Sequence, residues 1–379
     1  MTTLRVIVDQ ILAPVPGGIG RYTEELTREL IATAPPGCQV EGVVSNSPES
    51  DYARLMELLP GLKQLHKSSL ARREMMAAWQ YGFTRIPGSG MLHSPSLLAP
   101  LSKHDRLHNQ GSQVVVTIHD VVPWTHPETL TPRGVTWHKA LANRAYKYAD
   151  AVVVDTHAVA DQLADILDFG DRIRVIEAAV SPKLALPADA DARAEALGLP
   201  SQYILSVGTL EPRKGIEPLI RSLAHPDAVD LPLLIVGPSG WGNVDIEGIA
   251  RDAGVAEGRV RSLGYLDNED LSVALDRATV FVFPSLAEGF GLPVLEAFSF
   301  STPVVHSDDA ALMEVSAGSG ISVEREDAAG YPERLAHAIA SVVNDPELAA
   351  TLGTKGKDRA GLFSWRTSAE KVWQLHADL

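Results

Sequence analysis

Val280-Phe-Val-Phe283-Pro-Ser-Leu-Ala-Glu288-Gly-Phe-Gly-Leu-Pro-Val-Leu-Glu296 is the stretch that decides the fold. Four consecutive apolar β-formers, Val280 to Phe283, are what a strand buried on both faces requires, and such strands belong to parallel sheets covered by helices. Glycines 289 and 291 then set a turn, and Pro293 sits where a first-turn proline is tolerated, so a helix opens at about Leu292. This order places the amides of Gly289, Phe290, Gly291 and Leu292 at the carboxyl edge of a sheet, where unpaired N–H groups at a helix start favour anions. Glu296 falls one turn inside the helix, where its carboxylate can accept from vicinal hydroxyls, while Glu288 stays in the loop. Two acceptors eight residues apart suit a ribose at one end and a sugar at the other. Acidic residues near a helix start also satisfy its dipole alone, but two glutamates with Gly-x-Gly between them weigh towards a ligand site.

Working outward, short β-branched runs alternate with amphipathic stretches along most of the chain. Strands are expected at 4–8, 40–44, 114–118, 151–154 and 174–176 in the first half, and at 203–207, 233–236, 259–263, 280–283 and 303–306 in the second. That pattern predicts an α/β protein with two Rossmann-like, doubly wound layers. Tyr22, Leu26 and Leu30 mark a helix over 21–32. Residues 181–200, rich in Ala, Pro and Asp, read as a linker with a short helix. The expected domains are therefore 1–185 and 186–362. Residues 363–379, with Trp365, Val372, Trp373 and His376 on roughly one face, form a C-terminal helix expected to pack back on the first domain.

Composition bounds the function. The 379 residues are 45% apolar and 21% charged, an ordinary globular balance. Cys38 is the single cysteine, which forbids an internal disulfide and a Cys-built zinc site and fits a reducing compartment. No apolar run approaches the ~18 residues of a membrane span, and the N-terminus lacks a signal-peptide pattern, so a cytoplasmic location is expected. A formal charge of -15 argues against nucleic acid as a partner. The charge is uneven: residues 1–190 hold 18 Lys+Arg against 20 Asp+Glu, and 191–379 hold 15 against 28. An anionic ligand therefore needs a dedicated cationic site.

Tyr203-Ile-Leu-Ser-Val-Gly-Thr-Leu-Glu-Pro-Arg-Lys-Gly215 supplies one candidate, because Arg213 and Lys214 lie just past a strand end. Pro16-Gly-Gly-Ile-Gly-Arg-Tyr22 follows the first strand and opens the first helix, as a phosphate- or sugar-approach loop would. It lacks the third glycine of a dinucleotide fingerprint, and Ser45 and Asn46 stand where a ribose-binding acid would be. His119-Asp120 ends another strand, with Asp120 read as orienting the loop or the histidine. Asp189-Ala-Asp191 lies in the linker and Asp308-Asp309 is adjacent rather than spaced, so neither reads as a metal motif. His93, His104, His108, His126 and His138 have no ligand spacing, and no metal is expected. Residues 62–83 read as a basic amphipathic helix carrying Trp79, of the kind that lies on an anionic bilayer.

The segment from Glu288 to Glu296 resembles the E-x7-E motif of retaining glycosyltransferases of family GT4, and 203–215 is similar to the strand and loop by which that family grips the donor diphosphate. The resemblance implies a GT-B fold, two Rossmann-like domains facing across a cleft, and transfer of a hexose from a nucleotide-diphosphate sugar to a glycan or glycolipid acceptor. It assigns Gly208, Arg213 and Lys214 to the diphosphate, Glu296 to the ribose, Tyr265 and Leu266 to the base, and Glu288 with His119 to the sugar. Gly17 and Gly18 line the cleft opposite. The Glu-Pro-Arg-Lys variant is similar to mannosyltransferase-like members, making GDP-mannose the first choice of donor, with no cofactor. Peripheral contact with the inner membrane face through 62–83 follows from the lipid acceptors of some members. Two alternatives stand beside this reading: a GT-B epimerase or phosphorylase, and a non-catalytic sugar-nucleotide-binding subunit. The chain departs from the pattern at Thr209, where an arginine is frequent, and at Phe300-Ser301 before Thr302-Pro303.

Overall fold

Continuous apolar runs become inner strands because a parallel sheet is covered on both faces and has no wet side to alternate with. The computed structural model describes residues 2–13, 17–83, 90–105, 112–242 and 244–379, which fall into two units. One comprises Met1–Thr125, Pro132–Ala178 and Ser364–Leu379, the other His126–Thr131 and Ala179–Phe363.

Among the described residues, the first unit has strands β1 (Thr2–Ile7), β2 (Cys38–Asn46), β3 (Leu65–Ala71), β4 (Gly90–Ser94), β5 (Ser112–Thr117), β6 (Ala151–Val154) and β7 (Ile173–Val175). They lie in the order 3-2-1-4-5-6-7. The second unit has β8 (Ile204–Val207), β9 (Leu233–Val236), β10 (Val260–Gly264), β11 (Val280–Phe283), β12 (Val304–Ser307) and β13 (Ile321–Val323), in the order 10-9-8-11-12-13. Each described pairing is parallel. Both sheets are thus doubly wound, and each reverses its winding next to its first strand, between β1 and β4 and between β8 and β11. Loops leaving the carboxyl ends at such a reversal splay apart and leave room for a ligand.

Each unit has its own core. Val116 and Val152 pack with Met75, Trp79, Leu141 and Leu163 in the first, and Ile204, Ile235, Val280 and Val305 with Leu335 and Ile339 in the second. The helix Trp365–Asp378 lies on the first unit: Trp373 Nε1 donates to the Leu30 carbonyl at 3.1 Å, and Ser368 Oγ to that of Glu177 at 2.6 Å. The linker carries one short helix, Ala190–Ala196.

One expectation is corrected. Residues 62–83 are not one basic helix but strand β3 followed by a helix over Arg72–Tyr81. Met75 and Trp79, the apolar side chains meant for a bilayer, are in the core. The basic side chains are largely engaged: Lys67 pairs with Glu49, His66 with Glu41, and Arg72 with Asp9 and Gln10. No described helix is long and apolar enough to cross a membrane.

Candidate functional site

In the second unit, β8 and β11 are direct neighbours at the winding reversal, with Ile204 opposite Val280. The loops leaving them are therefore held together. The Arg213 carbonyl accepts from the Leu286 amide at 2.8 Å and from Ser285 Oγ at 3.2 Å. Gly215 completes the β8 loop with φ 66°, and a Cβ there would lie 2.1 Å from the Pro284 carbonyl oxygen, so this crossing admits only glycine. Gly237 plays the same part after β9, where a Cβ would meet the Gly208 carbonyl oxygen at 2.0 Å. The Gly237 amide donates to the Gly264 carbonyl at 2.7 Å, which brings the loop of Tyr265 and Leu266 alongside. Tyr265 is 75% exposed there and Leu266 is buried.

This backbone arrangement brings Lys214, Arg213 and Glu288 into one cluster. Lys214 Nζ donates to Glu288 Oε1 at 2.6 Å, Arg213 Nη1 is 3.2 Å from Glu288 Oε2, and Ser285 Oγ donates to Oε1 at 2.5 Å. Burial by itself would raise the Glu288 pKa, but Lys214 and Arg213 with these hydrogen bonds outweigh it and hold the carboxyl at about 2. Arg213 also donates to Glu211 Oε1 at 2.8 Å and to the Ala287 carbonyl at 2.7 Å. The Lys214 stem runs along Gly208, and its ammonium stands 5.3 Å over the Phe283 ring. Two cations and two carboxylates thus neutralise one another. An anion entering here exchanges partners with Glu288 and Glu211 rather than meeting bare positive charge.

Beside this cluster Gly291, at φ 97°, caps the helix Leu292–Ser299, where Pro293 contributes no N–H, so the Leu292 amide is the donor of the first helical position. Phe290 is buried edge-on against Phe363, with ring centroids 5.7 Å apart. Glu296 is 2% exposed in the second turn.

Asp309, which the sequence presents only as half of an adjacent acidic pair without metal spacing, has a structural part here. It follows β12, caps the helix Ala310–Ser316 through the Ala311 and Leu312 amides at 3.0 and 3.3 Å, and accepts a backbone hydrogen bond from Glu288. Burial raises its pKa, with Glu288 adding to the effect and Arg325 opposing it. Asp309 therefore fixes the backbone that carries Glu288. The sequence signal for this role is a helix-capping acid just after a strand. Asp189 and Asp191 are surface groups, paired with Arg193 at 3.0 Å and with Arg277.

The first unit places His119 past the end of β5. Its Nδ1 is 2.6 Å from Asp155 Oδ2 and its Nε2 2.8 Å from the Pro95 carbonyl oxygen. A carbonyl only accepts, so Nε2 carries a hydrogen, and both ring nitrogens are engaged within the unit. Burial lowers the His119 pKa, but Asp155 and the Pro95 hydrogen bond raise it above the ordinary value overall. The group that orients His119 is thus Asp155; Asp120 instead accepts from the Val122 amide at 3.1 Å and shapes the loop. Asp155 directly follows β6, so the strand-end signal that nominated His119 also applied to it. Gly17 and Gly18 start the helix Gly17–Ala32, with open space where each Cβ would stand, and Tyr22 of that helix meets His119 edge-on at 4.8 Å. Pro16 and His108 lie outside the described residues.

Comparison with known proteins bears on the family and the fold. The family model described as Glycosyl transferases group 1 matches residues 189–359, and that described as Glycosyltransferase Family 4 matches residues 16–184. An O-antigen chain mannosyltransferase B of Escherichia coli is 29% identical over 383 residues, 92% of this chain and 92% of its own. A D-inositol 3-phosphate glycosyltransferase of Corynebacterium kroppenstedtii is 32% identical, over 96% of this chain and 85% of its own. Among solved structures, sucrose-phosphate synthase from Thermosynechococcus elongatus superposes with a TM-score of 0.75 at 24% identity, over 100% of this chain and 99% of that one, a likeness of fold.

Proposed function

The chain belongs to glycosyltransferase family 4, and from that premise we propose that it transfers mannose from GDP-mannose to a hydroxyl of a glycan or glycolipid acceptor, with retention at the anomeric carbon. That it is a glycosyltransferase of the GT-B type follows from the family and the two doubly wound units.

The observation that carries the finer reading is the cluster of Arg213, Lys214 and Glu288 at the β8–β11 reversal. The difficult step of such a transfer is departure of the nucleoside diphosphate, on which negative charge accumulates as the glycosidic bond stretches. Arg213 and Lys214 supply positive charge there by exchanging Glu211 and Glu288 for the diphosphate, and the Leu292 amide a helix-start dipole, so charge developing on the leaving group is stabilised by groups already in place beside it. As the diphosphate draws Lys214 away, Glu288 gains free acceptor capacity, which suits it to the hydroxyls of the transferred sugar. Glu296 takes the ribose, and Tyr265 and Leu266 flank the base. No residue is assigned as nucleophile. The departing phosphate takes the acceptor proton on the face it leaves, so catalysis rests on positioning and electrostatics.

Mannose is supported by the 29% identical O-antigen chain mannosyltransferase, whose name also supports a glycan chain as acceptor. The 32% identical D-inositol 3-phosphate glycosyltransferase favours a second reading, a phosphorylated polyol acceptor. Thermal-shift titration with GDP, UDP and ADP, followed by NMR of the anomeric product from the matching sugar nucleotide, tests the proposal. Stabilisation by GDP and an α-mannoside product are expected. Stabilisation by UDP or ADP alone removes the donor assignment, and an inverted product removes retention.

A further inference from the structure

Away from that cluster, the second unit gathers three ligand-type side chains where the loop leaving the helix Ile216–Ser222 meets the helix Tyr331–Val343. His337 Nε2 lies 3.0 Å from Asp227 Oδ2, and His225 Nδ1 lies 3.7 Å from the same oxygen. One ligand atom from each of the three falls within 4.8 Å of the others, and the two imidazole rings meet edge-on at 5.1 Å.

We propose that His225, Asp227 and His337 bind a divalent transition-metal ion of the zinc type, at a site separate from the transfer chemistry. Two imidazoles and one carboxylate form a borderline donor set that suits such an ion over magnesium or calcium. Ligand atoms around a tetrahedral ion with bonds of roughly 2.0–2.1 Å stand about 3.3 Å apart. The separations of 3.0 and 3.7 Å from the shared Asp227 oxygen bracket that value, and all three ligand atoms lie within 4.8 Å of one another, a spread that side-chain rotation closes onto one ion.

The hydrogen bonding around His225 also favours metal binding. The Asp227 amide points at His225 Nδ1 from 3.3 Å, so Nδ1 presents its lone pair and the ring hydrogen sits on Nε2. Nε2 faces Glu333 Oε1 at 4.0 Å. A carboxylate behind the non-ligating nitrogen is the outer arrangement that fixes the tautomer of metal-bound histidines. A bound ion replaces the long amide contact and draws Glu333 onto Nε2. Glu333 and His337 are one helical turn apart and share a helix face. The turn carrying His225 is closed by its amide to the Ser222 carbonyl at 3.2 Å and by the Ala228 amide to its carbonyl at 2.9 Å. Asp227 and His337 are exposed, so the ion is reachable from solvent and water fills the remaining position. The bound ion clamps the end of a helix whose start follows Lys214 and Gly215 onto its neighbour.

The test uses the full-length, tag-free protein, stripped with chelator and titrated with zinc chloride by calorimetry, with cobalt(II) absorption as a second readout. One equivalent bound and a raised unfolding midpoint are expected. His225→Ala and His337→Ala should each weaken binding at least tenfold, and Glu333→Gln should weaken it by a smaller factor. Because His337 and Glu333 are exposed and His225 is only half-buried, the metal-free variants should unfold at the midpoint of the metal-free wild type, which separates lost binding from lost folding. No zinc uptake by the wild-type protein, or wild-type affinity in both histidine variants, overturns the proposal.

Discussion

Lys214 Nζ stands 2.6 Å from Glu288 Oε1, joining two side chains separated by 74 positions in the chain. The cation assigned to the donor's diphosphate and the carboxylate assigned to its sugar therefore hold each other, with Arg213 on the second carboxylate oxygen at 3.2 Å. On the proposed assignment, donor binding is an exchange of partners inside a neutral cluster, and each member influences how the others meet the ligand.

Lys214→Ala removes the proposed charge-assisted contact to the diphosphate and leaves Glu288 with Arg213 and the Ser285 hydroxyl. Hydrogen bonds to charged groups contribute about 1.5–3 kcal/mol, so kcat/KM for the donor should fall about 10- to 100-fold. The thermal shift produced by the matching nucleoside diphosphate should shrink in parallel. Steady-state kinetics with unchanged turnover would remove Lys214 from the diphosphate site.

Glu288 also makes a pH-dependent contribution to stability. Its pKa is lowered from 4.5 to about 2 in the folded protein. A carboxyl depressed on folding stabilises the fold above its unfolded value, and that contribution disappears as pH falls through the folded one. Glu288→Gln leaves Arg213 and Lys214 without their shared anion and should cost about 3 kcal/mol at neutral pH. Urea unfolding of both proteins should show the gap closing between pH 4.5 and 2. A gap independent of pH would mean that the charge is not its cause.

Two glycines separate architecture from ligand approach. Gly215 has φ 66° with backbone 2.1 Å from its missing Cβ, whereas Gly18 has open space around that position. Gly215→Ala should destabilise the second unit by about 3 kcal/mol or more, since backbone must move to admit the methyl. Gly18→Ala should leave stability within about 1 kcal/mol. Loss of turnover in Gly18→Ala at unchanged unfolding midpoint is expected if a ligand passes close to this turn, and full turnover would withdraw Gly18 from the site.

Runs such as Ala151-Val-Val-Val154 and Val280-Phe-Val-Phe283 were legible in the sequence because burial on both faces leaves no polar position to obscure them. The missed strand β3, Leu-His-Lys-Ser-Ser-Leu-Ala, is an edge strand that is only partly buried, so its composition imitates a loop or a basic helix face. β4 carries Gly90 and His93, and β13 spans three residues, too few for a period to register. Motif spacing located Arg213, Lys214 and Glu288, but not their mutual pairing, which depends on the adjacency of β8 and β11. Asp155 was invisible as the partner of His119 for the same reason: 36 residues of chain separate them and only the β5–β6 pairing closes the distance.

The first unit contains a buried pair of histidines. His93 on β4 and His376 on the helix Trp365–Asp378 are 0% and 2% exposed, with ring centroids 5.6 Å apart. Burial lowers the His93 pKa from 6.5 to about 3. His376 is also pushed down, by burial first and by His93 second. Gln113 holds His376 through Nδ1 at 2.9 Å and donates to its carbonyl at 3.1 Å. Both rings are therefore neutral in the fold and take up protons on unfolding below pH 6.5. The unfolded state then binds more protons, and stability falls as pH drops from 6.5 towards 3, at up to about 1.4 kcal/mol per pH unit for each histidine. His93→Met, similar in size and unable to ionise, should remove about one histidine's share of that slope. Unfolding measured in urea between pH 7.5 and 4.5 checks this, and identical slopes for wild type and variant would refute it. Because His376 lies on the helix Trp365–Asp378, hydrogen exchange at pH 5 should find the 365–378 amides losing protection before those of β5, and His93→Met should restore part of it.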